Sequence, residues 1–446
     1  MTQVQTAVRR VTPAGPGDGR PGRKELAASR GQLLARLLLP RAREIFLKLP
    51  LVPLGALTAV VARGELPTAA ALGQLLVLWV LVELLAYQAR YQLNDLRDRA
   101  ADAAHPEKAS RGRLSFPWTP ARAVAVWTSV VVRVALAVVL AVLLPGAAGQ
   151  AATVFLVVLV VVSGTYEALR ERIRRSPAVE PGGTRARSLG VPVLVWVPMG
   201  YGLRVWAGYH AMAAGELPAL LGLLLVVTVL ATFAASVLVA WALEATTFLR
   251  GRGEPPAAGL GRRAHLAVLL SHAGLLVVEG TARRPVPGPD VVVARDRPAR
   301  SALDLRAWDV AAALGLLCAY AAAGVAGGAD TLGWAVLAAA ALLSVAAPSV
   351  LHLRSRPGAG PWDARPPWLA VGSLAAVVAV EVAALALALV VLLVVDPAQA
   401  RLLWLPAFVV FQVGSTRTSS YRRGFGPFSL VRRPLAWARA RRGADA

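Results

Sequence analysis

Cysteine is almost absent from this chain. Cys318 is the single one in 446 residues, which excludes an intrachain disulfide and a metal site built from cysteines. Acidic residues are scarce as well, 25 Asp and Glu against 48 Lys and Arg, for a formal net charge of +23. Residues 1–30 hold no apolar stretch of signal-peptide type; rich in Gly, Pro and Arg, they read as a disordered basic cytosolic tail. No internal repeat survives counting, and the alternating polar-in pattern of a membrane β-barrel is missing.

Long apolar runs are what the chain has instead. Hydrophobic residues make up 57% of it, far more than in a soluble globular protein. Runs of spanning length fall at 45–63, 69–93, 121–144, 150–169, 189–212, 217–249, 306–328, 331–353, 367–395 and 401–416. Each is near the roughly 20 residues that cross a bilayer, the last being short. Backbone polar groups in lipid must be satisfied within each segment, so the expected fold is all-α, a polytopic membrane protein with about 9–10 transmembrane helices. The expected organisation is a tail over 1–30, a transmembrane domain over 31–416 and a basic cytosolic tail over 417–446.

The arginines are not spread evenly. They crowd 97–113, 170–187, 250–263, 283–306, 354–365 and the stretch from Arg417, while the loops near 63–68, 145–150, 213–217 and 329–331 carry few or none. The positive-inside rule then puts both termini and the Asn94–Arg113 loop in the cytoplasm, with the chain in the inner (plasma) membrane. Basic residues set beside spans rather than on one soluble domain speak against a nucleic-acid partner and for contact with anionic lipid. The short apolar run His265–Val278 has basic residues on both sides and is kept on the cytoplasmic side, in the interface or packed on cytosolic helices. Self-association into a homo-oligomer is left open by the sequence.

Directly after the second run stands Asn94-Asp95-Leu96-Arg97-Asp98-Arg99-Ala100-Ala101-Asp102, followed by His105-Pro106-Glu107-Lys108-Ala109-Ser110-Arg111. On a helix Asn94, Asp98 and Asp102 fall at i, i+4 and i+8, so three oxygen-bearing side chains line one face. Such a set suits Mg²⁺, which commonly bridges carboxylates to substrate phosphates. Lys108, Arg111 and Arg113 follow closely and supply cations for the same phosphates. His105 precedes a proline and reads as a turn residue, and His265, His272 and His352 have no ligand spacing and read as structural. Charges also sit inside the apolar runs, at Glu83, Arg133, Arg204, Glu244 and Glu381. At about 2.5–3.5 kcal/mol each near the bilayer centre they should face the protein interior; Glu244 with Arg204, and Glu83 with Arg133, are the expected pairs.

The Asn-Asp-x-x-Asp-x-x-x-Asp spacing and its His-Pro-x-Lys-x-x-Arg tail, after the second of many spans, resemble the first aspartate-rich motif of the UbiA prenyltransferase superfamily. Tyr166-Glu167-Ala168-Leu169-Arg170 is similar to the family's Tyr-x-x-x-Lys, with Arg in place of Lys. Leu203-Arg204-Val205-Trp206-Ala207-Gly208 resembles a Leu-Arg-x-x-Ala-Gly pattern of the branch that transfers phosphoribosyl groups to decaprenyl phosphate. The similarity covers roughly residues 40–255. It implies a helical bundle around a central cavity, with two polar motifs facing each other across Mg²⁺ and a diphosphate. By resemblance Asn94 and Asp98 would be metal ligands, Asp95 and Asp102 would support or complete that shell, and Lys108, Arg111, Tyr166 and Arg170 would touch phosphate.

The chain departs from the family where a second aspartate-rich motif is usual. It reads Glu244-Ala245-Thr246-Thr247-Phe248-Leu249-Arg250-Gly251-Arg252-Gly253-Glu254, with no aspartate pair, and is nearer the basic stretch of the phosphoribosyl branch. Arg250 and Arg252 become candidate phosphate clamps. The family's Arg-Pro-Leu is altered to Arg111-Gly112-Arg113-Leu114, which leaves that turn less constrained. Together these readings make Asp95, Asp98, Asp102, Lys108 and Tyr166 candidate catalytic residues and Asn94, Asp98 and Asp102 candidate metal ligands. Arg111, Arg113, Arg170, Arg204, Glu244, Arg250 and Arg252 are candidate substrate-binding residues. The expected activity is Mg²⁺-dependent transfer from a prenyl diphosphate to a small acceptor. Phosphoribosyl transfer to a polyprenyl phosphate, terpene cyclisation, and a non-catalytic membrane protein or transporter stand as alternatives.

Overall fold

Apolar helices succeed one another from end to end of a computed structural model that describes residues 48–103, 119–176, 184–213, 215, 217–250, 263–272, 276–278, 291–293, 307–354, 382–393 and 403–417. All of these belong to one compact unit, Pro40–Ala446. The helices are α1 (Leu51–Arg63), α2 (Ala69–Trp79), a π-helical stretch (Val80–Ala86) leading into α3 (Tyr87–Ala103), α4 (Pro120–Leu143) and α5 (Gly146–Arg175). Next come α6 (Thr184–Trp196), α7 (Met199–Ala213), α8 (Ala219–Arg250) and α9 (Ala264–His272). After a two-stranded antiparallel ribbon of β1 (Leu276–Val278) and β2 (Val291–Val293) the chain resumes as α10 (Ala307–Gly327), α11 (Thr331–Arg354), α12 (Val382–Leu393) and α13 (Trp404–Arg417). Both terminal tails, the basic segment 294–306 and Glu381 lie outside the described residues.

Among the described residues six helical paths are long and apolar enough to cross a bilayer: Ala69–Arg99, Pro120–Leu143, Gly146–Arg175, Thr184–Ala213, Ala219–Ala242 and Ala307–Gly327. Leu51–Arg63, Thr331–Ala346 and Val382–Leu393 are shorter apolar helices. This is an all-α polytopic membrane protein, and its helices follow the apolar runs of the sequence. Many outward-facing side chains are apolar, with Val131, Val142 and Leu143 of α4 more than half exposed, as a lipid-facing surface requires. The run at 264–279 forms a nine-residue helix and then β1, too short to span, and its leucines Leu266, Leu269 and Leu270 are buried.

Helix starts follow local signals. Thr68 accepts a hydrogen bond from the Ala71 N–H at 3.2 Å, and Thr119 caps α4 ahead of Pro120 at its first position. Where helices touch most closely, the residues are small. A Cβ on Gly208 would overlap the Val52 carbonyl oxygen, and one on Gly55 would overlap that of Val205, so α1 and α7 meet backbone to backbone. Gly208 ends the Leu203–Gly208 pattern, and its part here is packing. The core beneath the site joins α1, α7, α8, α10 and α13 through residues such as Leu51, Val205, Phe233, Tyr320 and Val409.

Candidate functional site

Motif one lies on the last turns of α3. Asn94 and Asp98 share one helix face, Asp95 is turned about 100° from it, and Asp102 continues the face by its backbone position. Asp98 is held from two sides. Arg170 Nη1 and Nη2, at the end of α5, donate to its two oxygens at 3.1 and 3.0 Å, and Arg97 Nε and Nη2 donate to the same oxygens at 2.9 Å. Arg97 also pairs with Glu167. The resemblance-based assignments Asp98, Tyr166 and Arg170 are therefore brought together: Tyr166 is buried one turn before Arg170, whose guanidinium carbon lies 5.7 Å from the centre of its ring.

Motif two approaches from α8 and α9. Arg263 Nη1 donates to Glu244 Oε1 at 3.0 Å, and Trp241, one turn before Glu244, packs on His265 with ring centres 4.8 Å apart. Tyr166 and Ala264 share one buried cluster with Ile173, Ala186, Leu189 and Val193, and Trp241 packs against it. His265 Nδ1 is buried without a hydrogen-bond partner. Burial pushes the imidazole pKa down to about 3; Arg170 and Arg263 act in the same sense, and Asp98 opposes them. His265 thus lies within electrostatic reach of both motifs. Arg250 is placed on α8 by its backbone, and Lys108, Arg111, Arg113 and Arg252 lie outside the described residues.

Deeper in the membrane part is a second polar group. Arg204 and Glu83 are fully buried, with Nε 3.4 Å from Oε1. Arg204 Nη2 donates to the Tyr91 hydroxyl at 3.0 Å, and the guanidinium carbon lies 3.4 Å from the centre of the Tyr87 ring. Lys48 Nζ is 4.3 Å from the centre of Tyr91, and Arg90 lies 5.8 Å from the centres of both Tyr87 and Tyr166. This corrects the expected Glu244–Arg204 pair: Glu244 meets Arg263, and Arg204 meets Glu83. Glu83 lies in the π-helical stretch, whose wider turn shifts side-chain positions relative to an α-helix, and Arg133 donates to the Leu84 carbonyl of that stretch.

Tyr87, Arg90, Tyr91, Arg263 and His265 are candidate site residues that motif reading missed. Tyr87, Arg90 and Tyr91 had a signal: polar and aromatic groups at helical spacing in an apolar run, within the two turns before Asn94. Among the described residues no three of His, Cys, Asp and Glu come together as a metal cluster. The donor chemistry still fits Mg²⁺ in its usual manner, one or two carboxylates completed by substrate phosphates, with Asp98 and the Asn94 amide on one face.

The arrangement defines a class: a polytopic helical membrane protein with a cationic, aromatic-lined site at the arginine-rich ends of its helices. No family model, no curated protein and no solved structure matches this chain.

Proposed function

We propose that this chain is a UbiA-type transferase of the inner (plasma) membrane, with its site open to the cytoplasm, moving a prenyl group from a prenyl diphosphate to a small acceptor. One observation carries the reading: the Asp98–Arg170 pair and the Glu244–Arg263 pair are joined through the buried cluster of Tyr166 and Ala264, at one end of largely apolar helices. Anion-binding groups beside an apolar interior suit a substrate with a diphosphate head and an isoprenoid tail.

In this mechanism Asn94 and Asp98 would hold Mg²⁺, with Asp95 and Asp102 in support. Bound there, the ion would neutralise charge building on the diphosphate. Arg170 would leave Asp98 and turn its fork to phosphate oxygens, and the Tyr166 hydroxyl would donate to another. Arg263, with Arg250, Arg252, Lys108, Arg111 and Arg113, would supply the remaining cations. As the allylic C–O bond breaks, its electron pair goes to the departing diphosphate, which these donors stabilise. The acceptor then forms the new bond to the prenyl carbon and releases a proton, while the apolar helices keep water from the cation.

A second reading, phosphoribosyl transfer to a polyprenyl phosphate, is favoured by the Glu244–Arg263 pair, which leaves motif two cationic where an acidic motif would hold more metal. The two are separated by supplying purified protein and Mg²⁺ with labelled prenyl diphosphates and acceptors, and then with phosphoribosyl diphosphate and polyprenyl phosphate. Diphosphate release without an acceptor would indicate cyclisation, and no turnover of any donor would leave a non-catalytic protein or transporter. In whichever assay is active, Asp98→Ala is expected to lower turnover by about 10²-fold or more while the thermal midpoint stays near that of the parent. Near-normal turnover in this variant removes Asp98 from the chemistry.

A further inference from the structure

Arg90 stands apart from the arginines around it. Arg97 and Arg170 share Asp98, Arg204 has Glu83 and Arg263 has Glu244. Among the described residues Arg90 has neither a carboxylate nor a hydrogen-bond partner; its guanidinium faces two rings, Tyr87 and Tyr166, with its central carbon 5.8 Å from each centre. It lies within the apolar span Ala69–Arg99, where a charge needs a compensating partner. Cation–π contact with two tyrosines compensates in part. A second guanidinium, that of Arg170, lies 5.7 Å from the centre of the same Tyr166 ring. Two like charges beside one phenol repel each other and attract an oxyanion.

Position and space agree. Arg90, Asn94 and Asp98 fall at i, i+4 and i+8, so Arg90 continues the motif-one face about 6 Å beyond Asn94 toward the apolar interior. Arg90 is half-buried, so a ligand can reach it. Gly200 of α7 leaves it room, because a Cβ there would lie 3.1 Å from Arg90 Nη1 and 2.6 Å from the Tyr87 hydroxyl oxygen. We propose that Arg90 is the inner arm of an oxyanion clamp that it forms with Arg170 beside Tyr166, and that the clamp takes the phosphate oxygens of the substrate diphosphate. The clamp rests on the diphosphate reading above and adds a binding residue to it.

The test uses the full chain in detergent, with inorganic diphosphate as the probe and titration calorimetry as the readout, with and without Mg²⁺. Arg90→Gln is expected to weaken binding about tenfold or more, and Arg90→Lys less, since the ammonium keeps the charge and loses the fork. Gly200→Ala, which removes no charge, is expected to weaken binding by crowding Nη1. Arg172→Gln, on the exposed face at the end of α5, is expected to bind like the parent. Should Arg90→Gln fail to fold, Arg90→Lys and Gly200→Ala carry the test. Parent-like affinity in Arg90→Gln, or in both Arg90→Lys and Gly200→Ala, overturns the clamp; so does an equal loss in Arg172→Gln, or no diphosphate binding by the parent. Arg90-dependent diphosphate binding without turnover of any prenyl diphosphate keeps the clamp and removes prenyl transfer. Prenyl transfer by Arg90→Gln at an unchanged KM for the donor removes the clamp and keeps the transfer.

Discussion

Arg204 carries a guanidinium into the apolar interior, and what surrounds it explains how the fold tolerates that. Glu83 faces its Nε, the Tyr91 hydroxyl takes Nη2, and the Tyr87 ring lies under the plane. A buried pair adds little net stability, because desolvation offsets most of the attraction, but removing one member strands the other at about 3–5 kcal/mol. Arg204→Met alone is therefore expected to lower the thermal midpoint sharply, and Glu83→Gln with Arg204→Met to recover most of the loss. The twelve tryptophans give the fluorescence signal for a thermal scan in detergent. Equal losses in the single and double variants would refute the pairing. That both residues face inward was legible in the sequence, since interior charges in apolar runs have nowhere else to go. Their pairing was not legible. It depends on which helices pack and on the π-helical stretch around Glu83, and neither leaves a mark in residue order.

At the scale of elements, α9 joins the two halves of the candidate site. It is too short to span, as its flanking basic residues suggested, and its apolar face packs against α6 and α8. Packing there brings His265 to the junction of Asp98, Arg170 and Arg263, a proximity that no spacing rule for histidine could have flagged. Its depressed pKa makes folding pH-dependent. In the folded protein the imidazole is neutral above about pH 3, whereas in the unfolded chain it takes a proton below its ordinary value of 6.5. Between these limits the unfolded state binds more protons, so stability is complete above pH 6.5 and declines as pH falls toward 3. From pH 7.5 to 5.5 the loss from this group is about 1.4 kcal/mol. His265→Phe, which keeps a ring against Trp241, is expected to show a shallower fall in thermal midpoint over that range. An unchanged fall would mean that the imidazole is protonated in the folded protein. The helices themselves were read closely from apolar length, because a bilayer-crossing segment must satisfy its own backbone. The backbone contact at Gly55 and Gly208 was not, because a glycine in a membrane helix marks close packing only once its neighbour is known.

For the whole molecule, charge asymmetry is the feature that governs orientation. Arg63 at the end of α1 donates to the Met212 carbonyl near the end of α7, joining one set of helix ends. Asp98, Arg170 and Arg263 join the opposite set, where the basic residues are dense. The proposed orientation therefore puts Glu65 and Arg175 on opposite faces of the membrane, with Arg175 on the cytoplasmic side by the positive-inside rule. A single native cysteine makes the test simple. In a Cys318→Ser background, Glu65→Cys is expected to react with a membrane-impermeant maleimide in intact cells, and Arg175→Cys only after the membrane is opened. Both positions are well exposed, so failure to label reflects the membrane rather than packing. The reverse pattern would put Asp98, Arg170 and Arg90 on the outer face. A donor made in the cytoplasm could not reach the site there, and the transferase proposal would fail with the orientation. Labelling of both cysteines in intact, impermeable cells would instead refute the odd number of crossings between them.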